Sequence, residues 1–260
     1  MTTDIDAAEP AAKPKKTFRQ EVVETFQTVV YALMIAFVLR VVLFEPFTIP
    51  SASMEPGLLV GDYIIATKWN YGWSKHSIPF SPPLFHGRVL KFAEGPQRGD
   101  VVVFKLPRDP SQTYVKRLIG LPGDRIQVHG GVVTVNGKTI TRAPAGEAQD
   151  PDAGMTVAQY EETRPDGHPY MTFDRGPDHD KDDTDLIVVP EEHYFFMGDN
   201  RDNSLDSRWP EAEGVGFVPA ENLVGKVRIV LASWRGGASI FNPITWVSKF
   251  DPHRILKPVH

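Results

Sequence analysis

The first strong pattern along the chain is an apolar run from Phe26 to Phe44, FQTVVYALMIAFVLRVVLF. Its 19 residues hold one charge, Arg40, near the C-terminal end, where a long side chain can reach toward lipid headgroups. At a rise of ~1.5 Å per residue such a helix matches a hydrocarbon core of ~30 Å, so the run predicts one transmembrane helix over 26–44. A buried core helix and a cleaved signal peptide are the alternatives. The second needs a shorter apolar core and a small-x-small site, which the following EPFTIPS supplies poorly, and a retained anchor fits better. Lys13, Lys15, Lys16 and Arg19 precede the run. By the positive-inside rule they keep residues 1–25 in the cytoplasm as a tail and send everything after Phe44 across the membrane.

Past Phe44 the pattern changes. Pro46 and Pro50 end the helix and favour extended backbone. GDYIIAT, GDVVVFKL, TYVKRLIG, RIQVHGGVVTVNG, LIVVPEEHYFFMG and LVGKVRIVLAS are short apolar runs separated by Gly, Pro and Asn-Gly turns, and no soluble stretch sustains a helical period. The prediction is a mainly β fold: a single N-terminal transmembrane helix followed by an all-β body. VVTVNGKTI reads as a hairpin turning at Asn136-Gly137. Residues 69–92 mix Trp69, Tyr71, Trp73, Phe80, Phe85 and Phe92 with prolines and basic groups, which suits either a loop resting on lipid headgroups or one packed on its own body. The stretch 141–184 is poor in aliphatic residues and rich in Asp, Pro and Gly, the composition of an exposed insertion or peripheral lobe. The body then divides into a first β part (45–140), the acidic lobe (141–184), a second β part (185–235) and a C-terminal tail (236–260). The FNPITWVSKF of the tail is too short to span a bilayer.

Charge refines this picture. The chain carries 28 basic and 33 acidic residues, a net of -5, with nothing to suggest a nucleic-acid partner. Residues 141–184 alone hold 11 acidic and 4 basic side chains, so the remainder is slightly basic. There is no cysteine, which excludes a disulfide scaffold, a thiol nucleophile and thiolate metal sites. The eight histidines, among them His76, His86, His129, His168, His179 and His193, show no HExxH or other ligand spacing. They read as surface residues, and neither a metal nor another cofactor is expected.

Three segments carry candidate chemistry: IPSASMEPGLLVGD with Ser51 and Ser53, TYVKRLIGLPGD with Lys116 and Arg117, and FFMGDNRDNSLDSR with Asp199, Asn200, Ser204, Asp206 and Arg208. A serine hydroxyl needs a base to accept its proton, and a lysine serves only if burial lowers its pKa from about 10.4 toward 8. In a strand Tyr114, Lys116 and Leu118 share one face, which places the amine beside an aromatic and an aliphatic side chain.

In order behind an apolar run, the three segments resemble the boxes of bacterial type I signal peptidase, the leader peptidase family. The resemblance covers roughly residues 25–235 and is weakest across 141–184. It implies a catalytic body of two antiparallel-sheet regions on the outer face of the bacterial inner (cytoplasmic) membrane, and a single-pass anchor. It also implies exported preproteins as substrates, cut after small residues at -3 and -1, with the phospholipid membrane as the other partner. By motif, Ser53 corresponds to the nucleophile and Lys116 to the general base. Ser51, with the Ser53 N–H, corresponds to the oxyanion hole, and Ser204 to the serine that orients the lysine. Asp206 and Arg208 correspond to an ion pair near the site, although on a strand each could instead pair with a neighbouring strand. Asp199 and Asn200, with Arg201, are expected to build the turn before Ser204, and Arg117 is expected to sit close by. Met54, Leu58 and Tyr114 are candidates to line the substrate pockets. Two positions depart from the family pattern: Ala52 where glycine is commoner, and Gly57 where threonine is usual, which removes a hydroxyl close to the nucleophile. A related serine–lysine enzyme that matures conjugation pilins, and a membrane-anchored β-rich scaffold, are the competing readings.

Overall fold

A computed structural model describes residues 17–89, 95–150, 152, 154–236 and 242–259. The expectations placed on Lys13, Lys15 and Lys16, on Phe92 and on Phe241 fall outside these residues.

Helix α1 (Phe18–Val42) is 25 residues long and buries none of them. At ~1.5 Å per residue it measures about 38 Å, enough to cross a bilayer. The chain therefore has one N-terminal membrane-spanning helix followed by a mostly β body. The helix differs from the predicted 26–44 at both ends. It begins earlier because Phe18–Thr25 contains neither Gly nor Pro. In addition, the Thr17 N–H donates to Gln20 Oε1 (2.9 Å), half of a capping box. It stops at Val42 because Pro46 lacks an N–H and disfavours helical backbone at Glu45. The released carbonyls of Val42 and Leu43 accept from Trp73 Nε1 and the Lys68 N–H, both at 2.9 Å. Phe44, predicted as the last helical residue, opens the first strand.

The strands follow in order: β1 (Phe44–Thr48), β2 (Asp62–Thr67), β3 (Val101–Leu106), β4 (Asp109–Gly120), β5 (Arg125–His129), β6 (Val132–Val135) and β7 (Lys138–Thr139). Then come β8 (Arg142–Asp150), β9 (Met155–Thr163), β10 (Pro169–Asp174), β11 (Ile187–Val188), β12 (His193–Met197), β13 (Val218–Pro219), β14 (Leu223–Ser233) and β15 (Lys257–Pro258), with a short helix α2 (Ile244–Ser248) before the last. Among the described residues the large sheet runs β1-β2-β14-β3-β4-β12-β13, with β15 added beside β14. A second sheet runs β11-β5-β6-β7 and a third β10-β9-β8, and the pairings between these strands are antiparallel. β1 tolerates Pro46 because it is an edge strand with β2 as its neighbour.

The VVVF run of β3 is buried on both faces, which is why it reads as continuous rather than alternating. Val101 and Val103 join Met54, Leu58, Ile64 and Val227 on one face. Val102 and Phe104 join Leu118 and Phe196 on the other, with Phe104 stacked on Phe196 at 4.7 Å. The hairpin at Asn136-Gly137 forms between β6 and β7, with both central residues at positive φ (53° and 77°), the geometry of a type I′ turn.

Three segments are more integrated than their composition suggests. The acidic stretch supplies β8, β9 and β10, and Asp150, Glu162, Asp174 and Asp182 are buried rather than solvated. The C-terminal segment is stitched onto the body: Arg254 pairs with Asp62, and β15 extends the large sheet. Within residues 69–89, Tyr71 is buried and donates its hydroxyl to Asp100, whereas Phe80 (103% exposed) and Leu84 (70% exposed) project into open space.

Candidate active site

Ser53 is the middle residue of a single 3-10 turn, Ala52–Met54. Ala52 and Met54 are buried on either side of it, so the turn is anchored inward, while Ser53 is half-buried and lines two cavities. A buried Ala52 also accounts for a small residue at that position. The turn is closed by the Glu55 N–H donating to Ala52 O (3.0 Å) and the Leu58 N–H to Met54 O (2.9 Å).

Lys116 projects from β4, where it pairs in register with Val102 of β3. Its Nζ donates to Ser53 Oγ. The residue is 3% exposed, and its amine lies 5.9 Å from the centre of the Tyr114 ring on the same strand face. Burial pulls the Lys116 pKa down to about 8; Asp206 and then Asp199 act against that shift, and Arg208 adds to it. Ser51 Oγ stands 3.4 Å from Ser53 Oγ on the exposed side.

The segment after β12 closes round this pair. The Asn200 N–H donates to Ser53 O (3.2 Å) and the Gly198 N–H to Asp206 Oδ2 (3.0 Å). Gly198 has no room for a side chain, since an added Cβ would collide with Ser53 O and Ser204 Oγ. Asp206 and Arg208 lie in a turn rather than on a strand, and they pair directly with each other (Nε–Oδ1 2.9 Å, Nη2–Oδ2 3.0 Å). Burial alone would raise the Asp206 carboxyl pKa; the Arg208 guanidinium and the Gly198 N–H outweigh it and hold it below the ordinary value. Asp199 does more than shape a turn. Its carboxylate accepts two bonds from Arg117, both 2.7 Å, and this pair is buried beneath the Tyr170 ring, 3.9 Å from the guanidinium.

Three residues are more deeply buried than their sequence suggests. Leu58 has no exposed surface and sits with Met54 in the core under the serine turn. Ser204 Oγ is buried beside Gly198 and shares a cavity with Lys116, but makes no hydrogen bond to it or to another described residue. His76 is buried rather than on the surface; its Nδ1 contacts Ser81 Oγ at 2.9 Å, and burial, then Lys75, lower its pKa to about 4.

Two cavities meet at Ser53 and Lys116. One, about 430 Å3, runs between Phe47–Ser51 and Gln112–Lys116, with Met54 and Tyr114 in its lining. The other, about 510 Å3, is more polar and is bounded by Tyr114, Arg175, His179, Ser204 and Trp209. The residues missing from the sequence reading are those the acidic lobe contributes: Tyr170 on Arg117, and Glu162, which holds Arg201. No spacing rule marks them, because they meet the boxes only through the fold.

Comparison with known proteins bears on the family of the chain. The family described as "Signal peptidase, peptidase S26" matches residues 22–234. The signal peptidase I of Rickettsia typhi is 40% identical over 265 residues, covering 95% of this chain and 96% of its own. That of Rickettsia prowazekii is 40% identical over 262 residues, covering 94% and 95%. A solved signal peptidase I from Enterococcus faecalis is 27% identical and covers 51% of this chain and 97% of its own, with a TM-score of 0.31. With a family match over most of its length and relatives aligned nearly end to end, the chain belongs to the signal peptidase family, peptidase S26, the serine endopeptidases of the serine–lysine type.

Proposed function

We propose that this enzyme removes signal peptides from exported preproteins after small residues at -3 and -1, with Ser53 as nucleophile and Lys116 as general base. The observation that carries the reading is the buried amine of Lys116 in hydrogen-bond contact with Ser53 Oγ. With a pKa of about 8, about a tenth of the molecules hold a neutral amine at pH 7. In that form the Ser53 hydroxyl donates to Nζ. Oγ attacks the carbonyl carbon of the -1 residue and its proton passes to Lys116. The C–N bond then breaks, and the Lys116 ammonium protonates the departing amine. Water, deprotonated by the regenerated amine, hydrolyses the ester and frees Ser53. The Ser51 hydroxyl and the Ser53 N–H donate to the developing oxyanion in this reading, and each such donor is worth about 3 kcal/mol. Ser204 steadies the lysine once the amine turns toward the substrate.

The preprotein lies extended in the cavity between Phe47–Ser51 and Gln112–Lys116, where alternate side chains point to the same wall. Met54 and Tyr114 belong to that wall. Residues 1–25 remain cytoplasmic and the β body works on the periplasmic side, at the surface where a cleavage site emerges. The exposed Phe80–Leu84 tip rests on lipid. Its root is tied, through Trp73 and Val42, to the end of the membrane helix.

The test is to incubate full-length protein in detergent with a preprotein carrying an Ala-x-Ala site and to map the cut by mass spectrometry. The expected result is one cut after the second alanine, lost in Ser53→Ala and in Lys116→Ala. Cleavage that survives Lys116→Ala would remove the lysine from its role.

A further inference from the structure

The acidic lobe holds a buried carboxylate that the chemistry above does not use. Glu162, near the end of β9, is 2% exposed. It accepts from Arg201 Nη1 (2.7 Å), Arg201 Nη2 (2.5 Å) and the Tyr170 hydroxyl (2.5 Å). Three donors on one buried carboxylate fix its rotamer and theirs.

Both donor residues, Arg201 and Tyr170, lead to the site. Arg201 Nε donates to Gly198 O (3.2 Å), and Arg201 O accepts from Arg208. Arg208 holds Asp206, and Asp206 holds the Gly198 N–H. Gly198 is thus clamped at its carbonyl by Arg201 and at its N–H by Asp206, with Ser53 O and Ser204 Oγ filling the space that a side chain there would need. Tyr170 lays its ring on Arg117, which carries Asp199. We infer that Glu162 is a positioning residue: through Arg201 it sets the Gly198–Arg208 segment against Ser53 and Lys116. This assigns the acidic lobe a part in the site, and it rests on the serine–lysine reading given above.

A residue that only stabilised the fold would change how much enzyme is active, not the protonation of the base. Glu162 should change the protonation as well. The charges around Lys116 are Asp206, Asp199 and Arg208. Arg175, His179, Asp180, Arg201 and Asp202 line the cavity that it shares. If Glu162 loses its charge, Arg201 keeps an unneutralised positive charge in the wall of the cavity that Lys116 shares. The segment that brings Asp206 toward Lys116 is also released. Both effects disfavour the ammonium, so the titration of the base should move to lower pH.

The experiment uses the full-length protein in detergent and an Ala-x-Ala preprotein. It compares the pH dependence of kcat/KM for the parent, Glu162→Gln and Glu162→Asp. Glu162→Gln should lower kcat about tenfold or more with little change in KM, and bring the acidic limb of the profile to lower pH. Glu162→Asp keeps the charge with one methylene less reach, and should recover part of both effects. If the limb stays at the parent's position and activity falls only with the folded fraction, measured by circular dichroism, the inference is overturned. Should Glu162→Gln fail to fold, Glu162→Asp alone decides: a lowered limb supports the role, and an unmoved limb overturns it. A parent that cuts nothing would defeat the peptidase reading instead, and a parent that cuts normally keeps the two failures apart.

Discussion

A lysine in water is protonated at neutral pH and cannot take a proton from serine. Lys116 differs because a hydroxyl, an aromatic ring and strand neighbours replace its water. Since the neutral amine is the active form, kcat/KM on an Ala-x-Ala substrate should rise with pH through a limb centred near 8 and fall below it. A pH–rate profile with its limb at 6 or 10 would contradict that assignment. Gly198 gives a sharper test. Any side chain there displaces Ser53 O or Ser204, so Gly198→Ala should cost about 100-fold in kcat, the scale of a 1 Å misplacement. The buried Arg117–Asp199 pair differs from exposed ones. Arg117→Met strands a buried carboxylate and should destabilise by about 3–5 kcal/mol. Lys75→Ala breaks the half-exposed pair with Glu221 and should cost less than about 1 kcal/mol. Denaturant midpoints compare the two directly.

Among the elements, the loop from Ile78 to Phe85 stands apart. Phe80 and Ser81 adopt positive φ (66° and 48°), which turns the chain sharply and leaves Phe80 outside the core. The base of the loop is rigid, with a capping box at Ser74 and Ser77 and a contact from His76 to Ser81. An aromatic tip on a fixed base suits insertion among lipid headgroups. Phe80→Asp should therefore slow cleavage of a preprotein embedded in vesicles several-fold, and leave cleavage of the same preprotein in detergent unchanged. Equal loss in both media would point to packing on the protein instead.

For the molecule as a whole, the buried base is a stability cost. A lysine that titrates at about 8 when folded and at 10.5 when exposed binds fewer protons in the folded state between those values. Stability should therefore rise with pH across that window. Below pH 8 the cost is constant, on the order of 3 kcal/mol. Lys116→Met, which removes it, should raise Tm at pH 7, with the gain shrinking as pH rises from about 8 toward 10.5. A variant that lowers Tm at pH 7 would show that the amine's hydrogen bonds outweigh its desolvation.

The sequence by itself determined whatever depends on local pattern. The apolar run specifies the membrane helix, and the turn-punctuated runs specify strands and the Asn136-Gly137 hairpin. The order of the three boxes specifies the family, because those signals involve neighbours in the chain. Only the tertiary structure decided which polar groups are buried and with whom. Asp199 faces Arg117 across 82 residues, and Glu162 faces Arg201 across 39. Composition alone marks 141–184 as solvated, since charged residues cost free energy to bury unless paired. The fold supplies the partners, in Arg201, Arg142 and Arg175. His76, expected on the surface, is buried for the same reason: exposure belongs to the packed molecule, not to the residue type.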